Sequence, residues 1–129
     1  MYSVTIQRHF DAAHHLRGYK GPCSRNHGHR FSVQVTVEGE HLDKLGMLVD
    51  YKELKDGLDR CLEELDHRDL NTIPPWHIDT IGHNPTAESI AEYIYGWMEG
   101  VLSDIGNRNL ILTKVRVYES PDCYSEYWE

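Results

Sequence analysis

The sequence lacks any apolar run long enough to cross a membrane, and it lacks the pattern of a secretory signal. A membrane span needs about 20 mostly apolar residues, and a signal needs a basic start followed by an apolar block. The first residues, MYSVTIQRHF, instead alternate between polar and apolar side chains. We therefore expect a cytoplasmic protein with no membrane partner.

Positive charge and pairable cysteines are also scarce. Lys and Arg together number 13 against 21 Asp and Glu, which gives a formal net charge of −8. Nucleic acids select basic surfaces, so this balance argues against a nucleic-acid partner. The three cysteines, Cys23, Cys61 and Cys123, are an odd number and fit a reducing compartment in which thiols stay free or functional.

What the chain does contain is an ordinary globular composition with an unusual number of histidines. Its 129 residues suffice for a single domain, residues 1–129, with a real hydrophobic core. Nine histidines in so short a chain invite a metal or acid–base interpretation without establishing either.

Hydrophobic periodicity predicts an α+β fold. Period-two alternation predicts strands over 2–14, 27–38 and 110–119, and CYSEYW predicts a short final strand. Apolar stripes at helical spacing predict helices over 50–65 and 86–105. This order predicts a small antiparallel four-stranded sheet with both helices covering one face.

Strand parity sorts the histidines that frame the motif CSRNHGHR. His27 and His29 share the parity of the apolar side chains that follow them, so both are expected to face the covered side of the sheet. His14 has the inward parity of the first strand, whereas its neighbour His15 does not. Three converging imidazoles match the ligand set of a catalytic zinc site, although a chance H-x-H pair on a strand remains the alternative.

Other candidate residues have more than one interpretation. Cys23 is a fourth metal ligand, a separate thiolate base or nucleophile, or a plain loop cysteine, and its spacing does not decide among these. Asp66 and His67 form either an acid–base pair or a helix end with a histidine favoured by the helix dipole. Glu119 has inward parity, so its carboxylate needs a ligand or an ion-pair partner, whereas Thr86 is explained by helix capping.

Six motifs, in order, resemble the family of 6-pyruvoyltetrahydropterin and 6-carboxytetrahydropterin synthases. They are HFDAAHHL, CSRNHGHRFSV, GMLVDYKELK, LDHRDLN, NPTAESIAEYI and VRVYES, and they extend over nearly the whole chain. The resemblance implies zinc ligands at His14, His27 and His29, and catalytic residues at Cys23, Asp66, His67 and Glu119. It also implies that Glu119 anchors a pterin ring, with Thr86 as a second contact.

The resemblance also implies a reaction and an assembly. Only three residues, SRN, separate Cys23 from HGH, which looks like the carboxy branch of the family. That branch converts 7,8-dihydroneopterin triphosphate to 6-carboxytetrahydropterin, acetaldehyde and triphosphate, in a queuosine-type pathway. The alternatives are 6-pyruvoyltetrahydropterin synthesis and a non-catalytic zinc- or pterin-binding module. The implied fold is of the tunnelling type, an oligomeric barrel that is typically a homohexamer built from two trimers.

Overall fold

The protein is a five-stranded sheet with two helices on one face. The structure, a computed structural model, describes residues 1–129. Its strands are β1 (Tyr2–His14), β2 (His27–Gly39), β3 (Arg68–Asp69), β4 (Ile111–Ser120) and β5 (Cys123–Tyr127), and its helices are α1 (Tyr51–Glu63) and α2 (Ala87–Ile105). The strand order is β3-β1-β2-β4-β5, with β3 parallel to β1 and the other neighbours antiparallel.

The predicted α+β class is confirmed, but the predicted number of four strands is wrong. The additional strand β3 has two residues, and its Arg68 and Asp69 pair with Ala12 and Ala13 at the edge of β1. A strand of two residues is too short to show the alternation from which strands are predicted. The strand forms because the chain leaving α1 runs alongside the end of β1, so its existence depends on tertiary packing.

The inward parity predicted for β1 and β2 produces the core. The rings of Phe10 and Phe31 stack at a centroid distance of 5.0 Å, and one continuous cluster of buried apolar residues joins the sheet to both helices. The buried sheet residues of that cluster are Ile6, Phe10, Ala12, Phe31, Val33, Val35, Val37, Leu112, Val115 and Val117. The core therefore lies between the helices and one face of the sheet.

Side-chain caps determine where the two helices begin. The Asp50 side chain accepts a hydrogen bond from the Lys52 amide before α1, and the Thr86 hydroxyl accepts one from the Ser89 amide before α2. These caps satisfy amide groups that have no partner within the helix. No helix of the structure combines the length and the apolar character that crossing a bilayer requires.

A largely irregular connection between β3 and α2 is held in place by one arginine. The Arg17 guanidinium donates to the carbonyls of His83 at 2.8 Å and Trp76 at 2.7 Å, and it pairs with Asp79 at 3.0 Å. Its backbone also exchanges two hydrogen bonds with the Asn84 side chain. The end of β1 and the residues that lead into α2 are therefore fastened together.

Candidate metal centre and active site

Three imidazoles converge at the ends of the two central strands. The antiparallel register sets His14 directly opposite His27, with His29 two residues further along β2 on the same face. The ring centroid of His14 lies 4.6 Å from that of His27 and 5.2 Å from that of His29. The structure therefore brings together the three histidines that strand parity grouped.

Backbone carbonyls orient two of these rings from behind. His14 Nδ1 lies 2.8 Å from the Pro85 carbonyl and His27 Nδ1 lies 2.7 Å from the Arg25 carbonyl. A carbonyl only accepts, so each Nδ1 carries a proton, and in the neutral ring each Nε2 keeps its lone pair. Both Nε2 atoms are buried without a hydrogen-bond partner. This arrangement, with one ring nitrogen bonded outward and the other free, is that of metal-ligating histidine.

Glu119, near the end of β4, completes a group of four. One carboxylate oxygen lies 3.1 Å from His14 Nε2 and 3.6 Å from His29 Nε2. One ligand atom from each of His14, His27, His29 and Glu119 lies within 4.8 Å of the others, so the group can hold a metal ion. Its imidazole and carboxylate atoms are the donors that suit zinc. Sequence parity predicted an inward Glu119, but not this contact with the imidazoles.

Burial favours the metal-binding form of two imidazoles of this group, those of His14 and His29. Desolvation lowers the pKa of His14, and the nearby Glu119 carboxylate opposes that change only in part. Desolvation likewise lowers the pKa of His29. Both rings are therefore disposed to be neutral near pH 7, and neutral imidazole is the metal ligand.

A cavity of about 380 Å³ adjoins the group on the side of Glu119. Thr86 and Glu88 line it from the start of α2, and Ser125 lines it from β5. The Ser125 hydroxyl donates to the Glu88 carboxylate at 2.8 Å, and this hydrogen bond lowers the pKa of Glu88. The cavity therefore offers two carboxylates, Glu88 and Glu119, to a ligand that carries N–H donors.

Cys23 lies near this centre in the chain but outside the four-residue group. It is half-buried in the short 3-10 turn Pro22–Ser24, and its backbone carbonyl accepts a hydrogen bond from the Leu16 amide at 2.8 Å. The structure thus separates the thiol from the imidazoles, consistent with a role other than metal ligation. By contrast, Cys61 is buried in the core, where desolvation raises the pKa of its thiol to about 12.

Asp66 and His67 form a pair on the other side of His29. His67 Nδ1 lies 2.9 Å from one Asp66 oxygen, and the other Asp66 oxygen accepts the Asp11 amide at 2.9 Å. Hydrogen bonding to the Asp11 amide, followed by that to His67, lowers the pKa of Asp66. His67 and His29 line a common open groove of about 550 Å³. The carboxylate therefore holds an exposed imidazole at the edge of the candidate centre.

The backbone contributes to the position of His67. Its φ of 58° is left-handed, a conformation that histidine adopts more readily than most residues but that still costs free energy. Its amide donates to the Asp11 carbonyl, which ties the residue to β1. A strained backbone held by hydrogen bonds is often found where a side chain must point in one direction.

Sequence reasoning missed several residues that shape the site. Pro85 acts through its carbonyl, which no side-chain pattern can reveal. The hydrogen bond between Glu88 and Ser125 joins positions 37 residues apart, which no local pattern predicts. The only signal available in the sequence was the acidic residue in the first turn of α2.

Together these features define an α+β protein with a three-histidine, one-carboxylate group suited to zinc. The sequence model of the family described as "6-pyruvoyl tetrahydropterin synthase" matches residues 3–129. The chain therefore belongs to the 6-pyruvoyl tetrahydropterin synthase family.

Individual relatives carry the names of more than one enzyme activity. A Bacillus subtilis protein named 6-carboxy-5,6,7,8-tetrahydropterin synthase is 35% identical over 98% of this chain and 86% of its own length. A Pyrococcus furiosus protein named dihydroneopterin monophosphate aldolase is 42% identical, over 70% of this chain and 69% of its own length. The solved structure of Caenorhabditis elegans 6-pyruvoyl tetrahydropterin synthase has a TM-score of 0.77 at 28% identity, and the match covers 100% of this chain and 97% of that one.

Proposed function

We propose that this protein is a zinc-dependent 6-carboxy-5,6,7,8-tetrahydropterin synthase. In this reaction 7,8-dihydroneopterin triphosphate is converted to 6-carboxytetrahydropterin, with release of acetaldehyde and triphosphate. The observation that carries the proposal is the group of inward imidazoles beside a polar cavity, in a chain resembling the Bacillus subtilis synthase over nearly its whole length. The three-residue gap between Cys23 and the HGH motif supports the same branch.

The metal would be held by His14, His27 and His29. The buried Nε2 atoms of His14 and His27, which no hydrogen bond satisfies, support this assignment. When bound, zinc supplies Lewis acidity that makes hydroxyl and adjacent C–H protons of a side chain easier to remove. The remaining chemistry falls to protein side chains that move protons and hold the ring.

Cys23 and the Asp66–His67 pair would move the protons. We assign Cys23 as the thiolate base that removes a proton from the substrate side chain, which fits its place outside the metal group. We assign His67 as the acid–base residue on the other side, oriented by Asp66 at 2.9 Å. Glu119 would accept the paired N–H groups of the pterin ring, with the Thr86 hydroxyl as a second contact in the same cavity.

Acetaldehyde detection tests the proposed reaction. Purified zinc-loaded protein is incubated with 7,8-dihydroneopterin triphosphate, and the products are identified by mass spectrometry. The expected result is acetaldehyde in equal amount to 6-carboxytetrahydropterin. A 6-pyruvoyl product without acetaldehyde would instead identify the pyruvoyl reaction, which needs the same metal and thiol but no cleavage of a carbon–carbon bond.

A second candidate is the aldolase reaction, favoured by the 42% identity to the Pyrococcus furiosus aldolase. Aldol cleavage of dihydroneopterin monophosphate would leave a hydroxymethyl group on the ring and release a phosphorylated two-carbon aldehyde. Incubation with the monophosphate separates the two candidates, because the synthase reaction requires a triphosphate leaving group. Turnover of the monophosphate alone would favour the aldolase.

Substitution of Cys23 separates an enzyme from a non-catalytic zinc- or pterin-binding module. We expect Cys23→Ala to retain its zinc and lose acetaldehyde production by at least about a hundredfold, the scale of lost general base catalysis. Cys61→Ala is the control for removal of a thiol elsewhere, because Cys61 lies in the core and lines neither the cavity nor the groove beside the metal group. Loss of zinc from Cys23→Ala would instead make Cys23 a ligand and contradict its assignment as the base.

We further propose that the chain acts as a cytoplasmic homohexamer, a dimer of trimers, in a queuosine-type pathway. Two sheet edges support an assembly, because β5 has no outer neighbour and β1 pairs with β3 only at Ala12 and Ala13. Unpaired edges are templates for pairing with another chain. The assembly predicts the mass of six chains by light scattering, and the pathway predicts neighbouring genes for later steps of 7-deazapurine synthesis.

A further inference from the structure

The contact between Glu119 and His14 is not an ordinary hydrogen bond. His14 Nδ1 donates a hydrogen bond to the Pro85 carbonyl, so in the neutral ring the Nε2 atom facing Glu119 carries a lone pair. That Nε2 atom has no hydrogen-bond partner, although a Glu119 oxygen lies 3.1 Å away. Two acceptors facing each other at this distance repel unless a cation lies between them.

The spacing of the group agrees with a cation coordinated by Glu119 as well as by the histidines. Zinc binds imidazole nitrogen and carboxylate oxygen at about 2.0–2.2 Å, so neighbouring ligand atoms of a tetrahedral site lie about 3.3–3.5 Å apart. The Glu119 oxygen lies 3.1 Å from His14 Nε2 and 3.6 Å from His29 Nε2, on either side of that separation. A site with four protein ligands is closed, whereas catalytic zinc needs a free position.

The Glu119 carboxylate also has space to move into. Its side chain is 36% exposed and lines the cavity that contains Thr86 and Glu88. Rotation about its side-chain bonds would carry the carboxylate from the imidazoles into that cavity. A carboxylate that binds the metal through the oxygen facing the imidazoles has one oxygen left for the cavity, whereas a released carboxylate offers both oxygens to paired N–H donors.

We propose that Glu119 is the fourth metal ligand of the substrate-free protein and leaves the metal when a ring with paired N–H donors enters the cavity. Arrival of the ring would thereby open the position that the substrate side chain then occupies. A polyol without the ring would leave the site closed, so Glu119 gives selectivity as well as affinity. The assignment of Glu119 as a ligand concerns metal binding alone. Its release from the metal by the ring rests on the proposed function.

Cobalt substitution tests both metal ligation by Glu119 and its release, and it does not rely on turnover. Co²⁺ replaces zinc in the wild type, in Glu119→Gln and in Glu88→Gln, a matched control that removes a carboxylate from the same cavity but not from the metal group. Metal affinity is measured by competition with a chelator, and the ligand set by visible absorption. We expect Glu119→Gln to bind Co²⁺ at least about tenfold more weakly with an altered spectrum, and Glu88→Gln to stay within about twofold of the wild type.

Neopterin and glycerol then probe release. Neopterin, which carries both ring and polyol, should shift the wild-type Co²⁺ spectrum, whereas glycerol should not. Unchanged affinity and spectrum in Glu119→Gln would overturn the ligand assignment. A wild-type spectrum insensitive to saturating neopterin, or equally sensitive to glycerol, would overturn release by the ring. If the protein forms no acetaldehyde but its Co²⁺ affinity still depends on Glu119, the proposed function is contradicted and the ligand assignment stands.

Discussion

At the scale of single residues, the carboxylate of Asp66 links the stability of the protein to pH. Its two oxygens accept the Asp11 amide and contact His67 Nδ1, both at 2.9 Å. These interactions favour the ionised form and lower its pKa in the folded state. The stabilisation is therefore present above the unfolded-state pKa, about 3.9, and is lost as pH falls through the lower folded-state value.

Asp66→Asn should remove this acid dependence. The asparagine retains a carbonyl oxygen for the Asp11 amide but has no charge to lose, so its free energy of unfolding should fall less steeply between pH 5 and pH 2. The measurement is urea unfolding at several pH values for both proteins. Because solvent reaches the Asp66 side chain, which is 42% exposed, we expect a difference within about 1 kcal/mol at neutral pH. Parallel pH profiles for the two proteins would contradict this origin of the lowered pKa.

At the scale of elements, the contact between the two helices depends on one glycine. A Cβ added at Gly57 of α1 would lie 2.5 Å from Cγ1 of Val101 in α2. The Trp97 indole also donates to the Gly57 carbonyl at 3.0 Å, so the helices are fastened where they are closest. Helix propensity alone favours alanine over glycine by about 1 kcal/mol, but close packing opposes it here.

Gly57→Ala should therefore destabilise the protein by about 1–3 kcal/mol, the usual cost of overpacking. The matched control is Gly96→Ala on the exposed side of α2, where an added Cβ would meet no atom within 4 Å. That control should gain about 0.5–1 kcal/mol from helix propensity. Chemical denaturation of both variants measures the two changes, and a stabilised Gly57→Ala would show that α1 and α2 are not so tightly packed.

The connection between β3 and α2 is an element whose position affects the metal site. Arg17 donates to the carbonyls of Trp76 and His83, and this stretch leads to Pro85, whose carbonyl orients His14. Lysine has one ammonium group in place of the planar guanidinium, so it cannot reproduce the forked contacts. The orientation of His14 is thus coupled to an arginine that lies outside the four-residue group.

Arg17→Lys should loosen this connection and weaken metal binding. We expect faster hydrogen exchange over residues 72–86 and a loss of about 10-fold in zinc affinity, comparable to the loss of other groups that orient metal ligands. Arg8→Lys serves as the control, because Arg8 pairs with Asp59 of α1 and lies six residues before His14 along β1, about 20 Å away. An unchanged zinc affinity in Arg17→Lys would show that the connection between β3 and α2 does not affect metal binding.

At the scale of the whole molecule, metal binding should stabilise the fold. The candidate ligands come from β1, β2 and β4, so a bound ion joins three strands of the sheet. A ligand that binds only the folded state adds about 2.7 kcal/mol when its concentration is one hundred times its dissociation constant. For a chain of this size, such a gain corresponds to several degrees in the unfolding temperature.

Removal of the metal should therefore lower the unfolding temperature by several degrees in calorimetry. His29→Ala should show a much smaller difference between metal-loaded and chelator-treated samples, because one ligand is missing. His15→Ala is a poorer control, since the His15 ring lies 3.4 Å from the Asn71 side-chain amide. His41→Ala, on an exposed stretch, is better matched. Equal responses of wild type and His29→Ala to the chelator would place the stabilising ion elsewhere.

Element types and the inward histidines followed from the sequence because both depend on local periodicity. Strands over 2–14 and 27–38, and helices over 50–65 and 86–105, match the observed elements to within two residues at each end. Alternation within a strand determines which side chains share a face, so the grouping of His14, His27 and His29 required no knowledge of the fold beyond pairing of those strands. The antiparallel register then fixed which histidine stands opposite which.

Tertiary structure decided which residues far apart in the chain make contact, and it formed the elements that are too short to show a period. Strand β3 has only two residues, and it exists because the chain after α1 meets the edge of β1. The carbonyl of Pro85 sets the tautomer of His14 from 71 residues away, and Glu119 reaches the imidazoles from another strand. The sequence by itself determined which faces the side chains occupy, whereas packing decided which atoms meet, because contact distances depend on the whole path of the chain.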